Sequence, residues 1–270
     1  MKQIDIEELK RLQCDVLQAL HNYASANGLK YSLACGTLLG AIRHNGYIPW
    51  DDDIDVYMPR DDYDKMVKSF PEVYQGRYKL ISFERSRKWC RPYANLYDDR
   101  TVCYELKSSN EEQIGVKIDV FPVDHVPDDD NEWSRFNKIR RLLIYFHSAK
   151  FVTYRKNNQP LRDKVALFLL KTVLLPFSPY QVVKVVDSYI RKYNLKGTHR
   201  LFESSCGMMQ KRPFQIEDFS EVELHRFENY EFNIMKGYHD YLTNGFGDYM
   251  KLPPVEKRVS HHYFDAYWKK

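Results

Sequence analysis

GTLLGAIRHNGYIPWDDDIDV, residues 36–56, sets an apolar run punctuated by Gly36, Gly40 and Gly46 directly before four aspartates in five positions. Carboxylates this close repel by about 1 kcal/mol per pair in water, and by several times that where water is partly excluded, so the cluster opposes folding unless something positive joins it. After Pro49 and Trp50 the stretch DIDVYMP alternates, with Ile54 and Val56 following Asp53 and Asp55 in turn, and it ends at Pro59. In a strand that period sends both carboxylates to one side and their apolar neighbours into the core. A second stretch, GVKIDVFPVD at 115–124, repeats the pattern with Asp119 between Ile118 and Val120. Two such strands side by side bring Asp53, Asp55 and Asp119 onto one site suited to a hard divalent cation with oxygen ligands, and Mg²⁺ is the expected ion.

Other groups compete for these roles. Asp51 and Asp52 either cap a turn after Pro49 or bind through water. Asp124 competes with Asp119, but it follows Pro122 and is expected in a loop, where a ligand is held less firmly. Arg43 and His44 lie between the glycines and the acids; they either contact a substrate phosphate or serve as structural partners of backbone carbonyls and Asp52. The spacing Asp-x-Asp-x-Asp-Gly with a distant Glu, which marks a calcium-binding loop, is absent.

Working outward, Asp5 followed by Glu8 reads as a capping box opening a helix with Leu9, Leu12, Val16, Leu20 and Tyr23 on one face and Gly28 at its end. LKYSLACG reads as a strand of about five residues running into Gly36, and GTLLGAIRHNG as a short helix or turn. From residue 131 the pattern turns helical: NEWSRFNKIRRLLIYFHSAKFV, LRDKVALFLLKTVLL and SPYQVVKVVDSYIRKYN are separated by Asn/Gln/Pro and Ser/Pro breaks. FENYEFNIM reads as a strand near the end. The expected organisation is an α/β core over 1–130 and a mainly helical lobe over 131–270, packed as one compact unit.

The 270 residues carry a net charge of +4, which is too small to indicate a nucleic-acid partner, and none is expected. Acid gathers at 51–64 and 124–132 while base runs through the second half. That arrangement suits an anionic substrate or membrane surface, or equally a set of solvated helix faces. Five scattered cysteines without CxxC spacing point to reduced thiols and a cytoplasmic protein. The stretch MKQIDIEELKRL has no apolar h-region, so no secretory signal is expected there. The run VALFLLKTVLLPF at 165–177 falls short of the roughly 20 residues that span a bilayer; it is either a buried helix or an interfacial segment with Lys164 and Lys171 near headgroups, a peripheral contact at the inner face of the membrane.

The glycine-threonine step, the long first anchor ending in DDDIDV, the later IDVFPVD, and YLTNGFGDYMKLPPVEKR near the end together resemble the LicD family of phosphocholine transferases and the related fukutin-type sugar-phosphate transferases. The resemblance is weak over 131–200. It implies a nucleotidyltransferase-like, polymerase-β-type mixed sheet. Gly36 and Thr37 then form the phosphate-cradling turn, Thr standing where Ser is more usual, with Asp53 and Asp55 as the metal-binding pair and Asp119 as the third carboxylate. The cysteine-bearing zinc loop of fukutin-related members has no counterpart here, which favours the short bacterial type. The implied reaction passes phosphocholine from CDP-choline to a sugar hydroxyl of a cell-envelope glycan precursor, teichoic acid or lipopolysaccharide, carried on a lipid, and releases CMP. Tyr241, Phe246 and Tyr249 are then either core residues or an aromatic cage for the quaternary ammonium. A different CDP-alcohol or CDP-alditol donor needs no such cage. A non-catalytic metal-binding scaffold has no use for the crowded carboxylates.

Overall fold

The computed structural model describes residues 1–105, 113–151, 168, 170–206, 210–259 and 264–269. Helix α1 (Ile6–Ala26) starts as expected, Asp5 Oδ1 accepting the Glu8 N–H at 2.8 Å, and its apolar stripe from Leu9 to Tyr23 is buried. Strand β1 is only Ser32–Leu33, shorter than the sequence pattern predicts, because helix α2 (Cys35–His44) begins two residues later and takes in Gly36. α2 ends on Asn45 in the left-handed region at φ 55°, and the chain doubles back along the helix. Close approach requires glycine here: a Cβ on Gly40 would stand 2.4 Å from the Gly46 carbonyl oxygen.

Strand β2 (Asp55–Pro59) pairs antiparallel with β1 on one side and parallel with β6 (Lys117–Val126) on the other. The intervening chain supplies α3 (Arg60–Ser69), β3 (Tyr78–Ile81), β4 (Ala94–Asp98) and β5 (Thr101–Glu105). The sheet order is β1-β2-β6-β4-β3. The far edge of β6 is shared: β4 pairs with 117–120, and β7 (Arg200–Glu203) with 123–126, β8 (Phe214–Gln215) adding to β7. Pro122 sits between the two partners, so its missing N–H leaves no ladder bond unmade. The result is a mixed α/β sheet with a single parallel pair among the described strands.

The second half is mixed where helices were expected to dominate. α4 (Asp130–Phe151) and α5 (Pro179–Ile190) form as anticipated, α5 opened by a reciprocal Ser178–Gln181 capping box. However, β7 and β8 extend the sheet of the first half, and β11 (Phe264–Trp268) pairs with β5. FENYEFNIM is split between β9 (Val222–Phe227) and β10 (Tyr230–Met235), because Glu228 turns the chain at φ 55°. Short α6 (Ile216–Ser220) and α7 (Tyr238–Phe246) complete the order. Of the helix expected at 161–175, residues 161–167 and 169 lie outside the described residues and 170–174 are helical; in the apolar run at 165–177 Leu174 is buried, whereas Phe168, Val173, Leu175 and Phe177 are exposed. No helix among the described residues is long and apolar enough to cross a membrane.

Asp124 lies within β6 instead of a loop, and it is fully buried. Arg60 holds it bidentately, Nε donating to Oδ1 at 2.7 Å and Nη2 to Oδ2 at 2.8 Å, while Asn194 Nδ2 adds a third bond at 2.7 Å. Its role is therefore to tie α3 and the segment after α5 to the sheet. Removing one partner of such a pair strands the other charge in the interior. Asp124→Ala is expected to lower unfolding free energy by about 3–5 kcal/mol in denaturant titrations; a loss below about 1 kcal/mol would contradict this assignment.

Candidate active site

β2 and β6 meet in the register that places Asp55 opposite Asp119, and the Asp119 N–H donates to the Ile54 carbonyl at 2.9 Å just before the strand begins. The two aspartates therefore share a face of the sheet, as the repeated apolar-acid-apolar pattern predicts. Asp53 precedes β2 on an extended approach outside the strand itself, yet Ile54 and Val56 still enter the core. Gln13, buried on α1, fixes this approach by donating through Nε2 to the Asp52 carbonyl at 3.0 Å and the Lys117 carbonyl at 3.5 Å. Tyr47 O–H orients Gln13 in turn through its Oε1, at 3.0 Å.

Gly36 and Thr37 occupy the first turn of α2. Instead of an open cradle, Gly36 has the Asp51 carboxylate against it, 2.5 Å from where a Cβ would stand. Thr37 Oγ1 accepts the Asp55 N–H at 2.9 Å, stitching the helix to the start of β2. Cys35, a non-glycine residue at φ 49°, enters the helix in the left-handed region, and its N–H donates to Tyr241 Oη at 3.1 Å. Such backbone strain persists where surrounding structure over-determines it, commonly at functional sites.

The carboxylates crowd one another. Asp53 is exposed as a residue, but its carboxyl turns onto that of Asp51; desolvation first, then the charges of Asp51, Asp119 and Asp52, push it up to about 7. Burial, then the charges of Asp53, Asp119 and Asp51, raise Asp55 well above the carboxylate range. Desolvation also raises Asp51. Lys117 opposes these shifts at Asp53 and Asp55, and its Nζ lies 2.7 Å from Asp119 Oδ1, where Asn95 Nδ2 also donates. Among the described residues no group of three or more His, Cys, Asp or Glu side chains closes on one point to hold a metal ion as it stands. The donor set is nonetheless all oxygen, mutually repelling and short of positive charge, which is the chemistry a hard divalent cation satisfies.

At the far end of α2, Arg43 Nε donates to His44 Nε2 at 3.0 Å and its Nη1 to the Tyr249 carbonyl at 2.8 Å. Burial, then the Arg43 charge, lower the His44 pKa, so the imidazole is neutral at pH 7 and accepts at Nε2. The three C-terminal aromatics do not form a cage. Tyr241 is 1% exposed, edge-on to Tyr57 and Phe214, and its hydroxyl serves Cys35. Tyr249 is buried with its hydroxyl on His239 Nδ1 at 2.9 Å, and Phe246 packs against the core. Sequence reasoning passed over Gln13, Tyr47, Asn95, Trp50 and Arg258. Lys117 was legible as a same-face neighbour two residues before Asp119; Asn95 faces Asp119 only through the β4–β6 pairing.

A mixed sheet with paired strand-borne aspartates beside a glycine-rich helix start belongs with the nucleotidyltransferase class: residues 28–164 match the family described as LicD/FKTN/FKRP, nucleotidyltransferase domain. The chain belongs to the LicD family. It is 32% identical to the lipopolysaccharide cholinephosphotransferase LicD of Haemophilus influenzae over 275 residues, covering 99% of each chain. An uncharacterized protein of Rickettsia typhi is 35% identical over 217 residues, covering 72% of this chain and 68% of its own.

The raised Asp53 pKa has a definite sign. The folded state holds that proton more tightly than the unfolded chain, so the group's effect is absent below about pH 4 and grows destabilising as pH climbs to about 7. Without divalent ions, Asp53→Asn is expected to match the parent near pH 4 and exceed it at pH 8 by about 1 kcal/mol after solvent screening. Thermal denaturation across that range reads this directly, and a variant less stable at pH 8 would contradict it. Tyr241→Phe leaves the strained Cys35 N–H unpaired and is expected to cost about 1–2 kcal/mol in chemical denaturation; a neutral result would deny Tyr241 that role.

Proposed function

We propose that this protein is a Mg²⁺-dependent transferase that passes phosphocholine from CDP-choline to a sugar hydroxyl of a cell-envelope glycan precursor, releasing CMP. The observation that carries this reading is the register of β2 on β6, which sets Asp55 beside Asp119 with Asp53 adjoining. Family membership and the cholinephosphotransferase activity that names the Haemophilus relative support it. A polymerase-β-type arrangement is the finer form of the fold that accords with this sheet.

Asp53, Asp55 and Asp119 would hold Mg²⁺. When bound, the ion supplies electrostatic stabilisation of the diphosphate and of the charge developing on the attacking and leaving oxygens. The chain's own work is positional. Gln13 and Thr37 fix the approach to β2, and Asn95 orients the Asp119 carboxylate. Lys117 neutralises part of the acidic charge and has to yield Asp119 Oδ1 for that oxygen to serve as a ligand. In the transfer a new P–O bond forms to the sugar oxygen, whose proton passes to water, the diphosphate P–O bond breaks, and CMP leaves with that bond's electron pair.

Donor choice cannot rest on Tyr241, Phe246 and Tyr249, so it is put to a panel. Incubation with CDP-choline, CDP-ethanolamine and a CDP-alditol, with a lipid-linked or free glycan acceptor, is expected to release CMP fastest from CDP-choline in a Mg²⁺-dependent way. Preference for another donor moves the reading to that CDP-alcohol. Asp53→Asn, Asp55→Asn and Asp119→Asn are each expected to lower turnover at least about a hundredfold with the fold intact by circular dichroism. Near-parental turnover in any one of them would remove that residue from the site.

A further inference from the structure

Seven residues along α2 from Gly36, about 10 Å at 1.5 Å per residue, a second polar group gathers that is opposite in sign to the acids. Arg43 is anchored to His44 Nε2 and the Tyr249 carbonyl. His44 meets Trp50 edge-on with ring centroids 6.4 Å apart. The Arg258 guanidinium lies over the Trp50 ring at 5.6 Å, and its Nε donates to the Pro253 carbonyl at 2.8 Å. Through this chain of contacts Arg258, far along the chain, meets residues 43, 44 and 50 at one place.

Neither arginine has a carboxylate partner among the described residues, although both are half-buried. Elsewhere in the molecule Arg60, Arg100 and Arg191 each sit on an aspartate. Arg43 Nη2 and both Nη groups of Arg258 have no acceptor among the described residues, while every acceptor that the pair does use is neutral. Desolvation, then the nearby Arg258 charge, lower the Arg43 pKa, so the two cations work against each other as they stand. Two guanidiniums held in place by neutral groups, with free donors and uncompensated charge, are completed by an oxyanion, and a phosphate matches their forked donors.

We propose that Arg43 and Arg258 form an anion subsite for the phosphate of the nucleotide half of the donor, at the opposite end of α2 from the acids that face the transferred group. This rests on the reading of the protein as a CDP-alcohol transferase. Trp50 positions Arg258 by cation–π contact and joins the two ends, since Asp51 follows it directly in the chain.

The test is isothermal titration at low salt with chelator present, using CMP, cytidine and inorganic phosphate as probes. The parent is expected to bind CMP at least about tenfold more tightly than cytidine, with inorganic phosphate competing. Arg43→Gln and Arg258→Gln should each remove most of that preference and leave cytidine binding unchanged, whereas Lys257→Gln, an exposed neighbour, keeps it. Arg258 is on the segment following α7, outside the long helices and the sheet, so its variant decides the matter if the Arg43 variant does not fold. A folded Arg258→Gln protein with the parental CMP-to-cytidine ratio overturns the subsite, as does a parent that binds the two alike. The outcomes separate from those of the transfer assay. Arginine-dependent CMP binding without phosphocholine transfer sinks the proposed reaction and spares the subsite; transfer with arginine-independent CMP binding does the reverse.

Discussion

The parallel ladder between β2 and β6 is the constraint on which the rest of the site depends. Side chains on a strand alternate faces, so a slip of one residue would send Asp119 to the opposite side of the sheet from Asp55. The register is held from several directions. Thr37 takes the Asp55 N–H, Asp119 donates to Ile54, and Gln13 reaches from α1 to the Asp52 and Lys117 carbonyls together. Burial of Ile54, Val56, Ile118 and Val120 opposes any slip, because each would trade places with a neighbour that is polar or larger.

Helix α2 sets the electrostatic layout around that ladder. Its first turn carries Gly36 against Asp51, and its last carries Arg43 and His44 beside Trp50. The return segment after Asn45 keeps the two ends in fixed relation, with Gly40 packed on the Gly46 carbonyl and the Tyr47 N–H donating to Glu228 at the tip of the β9–β10 hairpin. A net charge of +4 conceals this separation. Acids concentrated at one end and, at the other, arginines without a carboxylate partner among the described residues give opposite local fields within about 10 Å of helix.

Segments far along the chain complete the amino-terminal site. Tyr241 on α7 accepts from the strained Cys35 N–H, the Tyr249 carbonyl anchors Arg43, and Glu228 fixes the return segment. β7 extends the sheet at the half of β6 that β4 leaves unpaired, and Asp124 there gathers Arg60 and Asn194. Residues beyond 190 thus act as the outer frame of a site whose acids all lie before 120.

By itself the sequence determined the parts that follow from local periodicity and chemistry. The capped amphipathic α1, the two acid-bearing strands, the pairing of Asp55 with Asp119, the helices at 130–151 and 179–190, and the resemblance to the LicD family were all legible, because period, capping and carboxylate crowding are written in adjacent residues. The extent of β1, the turn inside FENYEFNIM, the buried place of Asp124 and the core role of Tyr241 were not. Each depends on a partner more than 60 positions away or on where a neighbouring element claims the backbone: α2 takes Gly36 from β1, Arg60 draws Asp124 into the interior, and Cys35 gives the Tyr241 hydroxyl its bond. Only the tertiary structure could bring Arg258 over Trp50 and Asn95 onto Asp119, since contacts across a sheet and between distant segments leave no period in the chain to read.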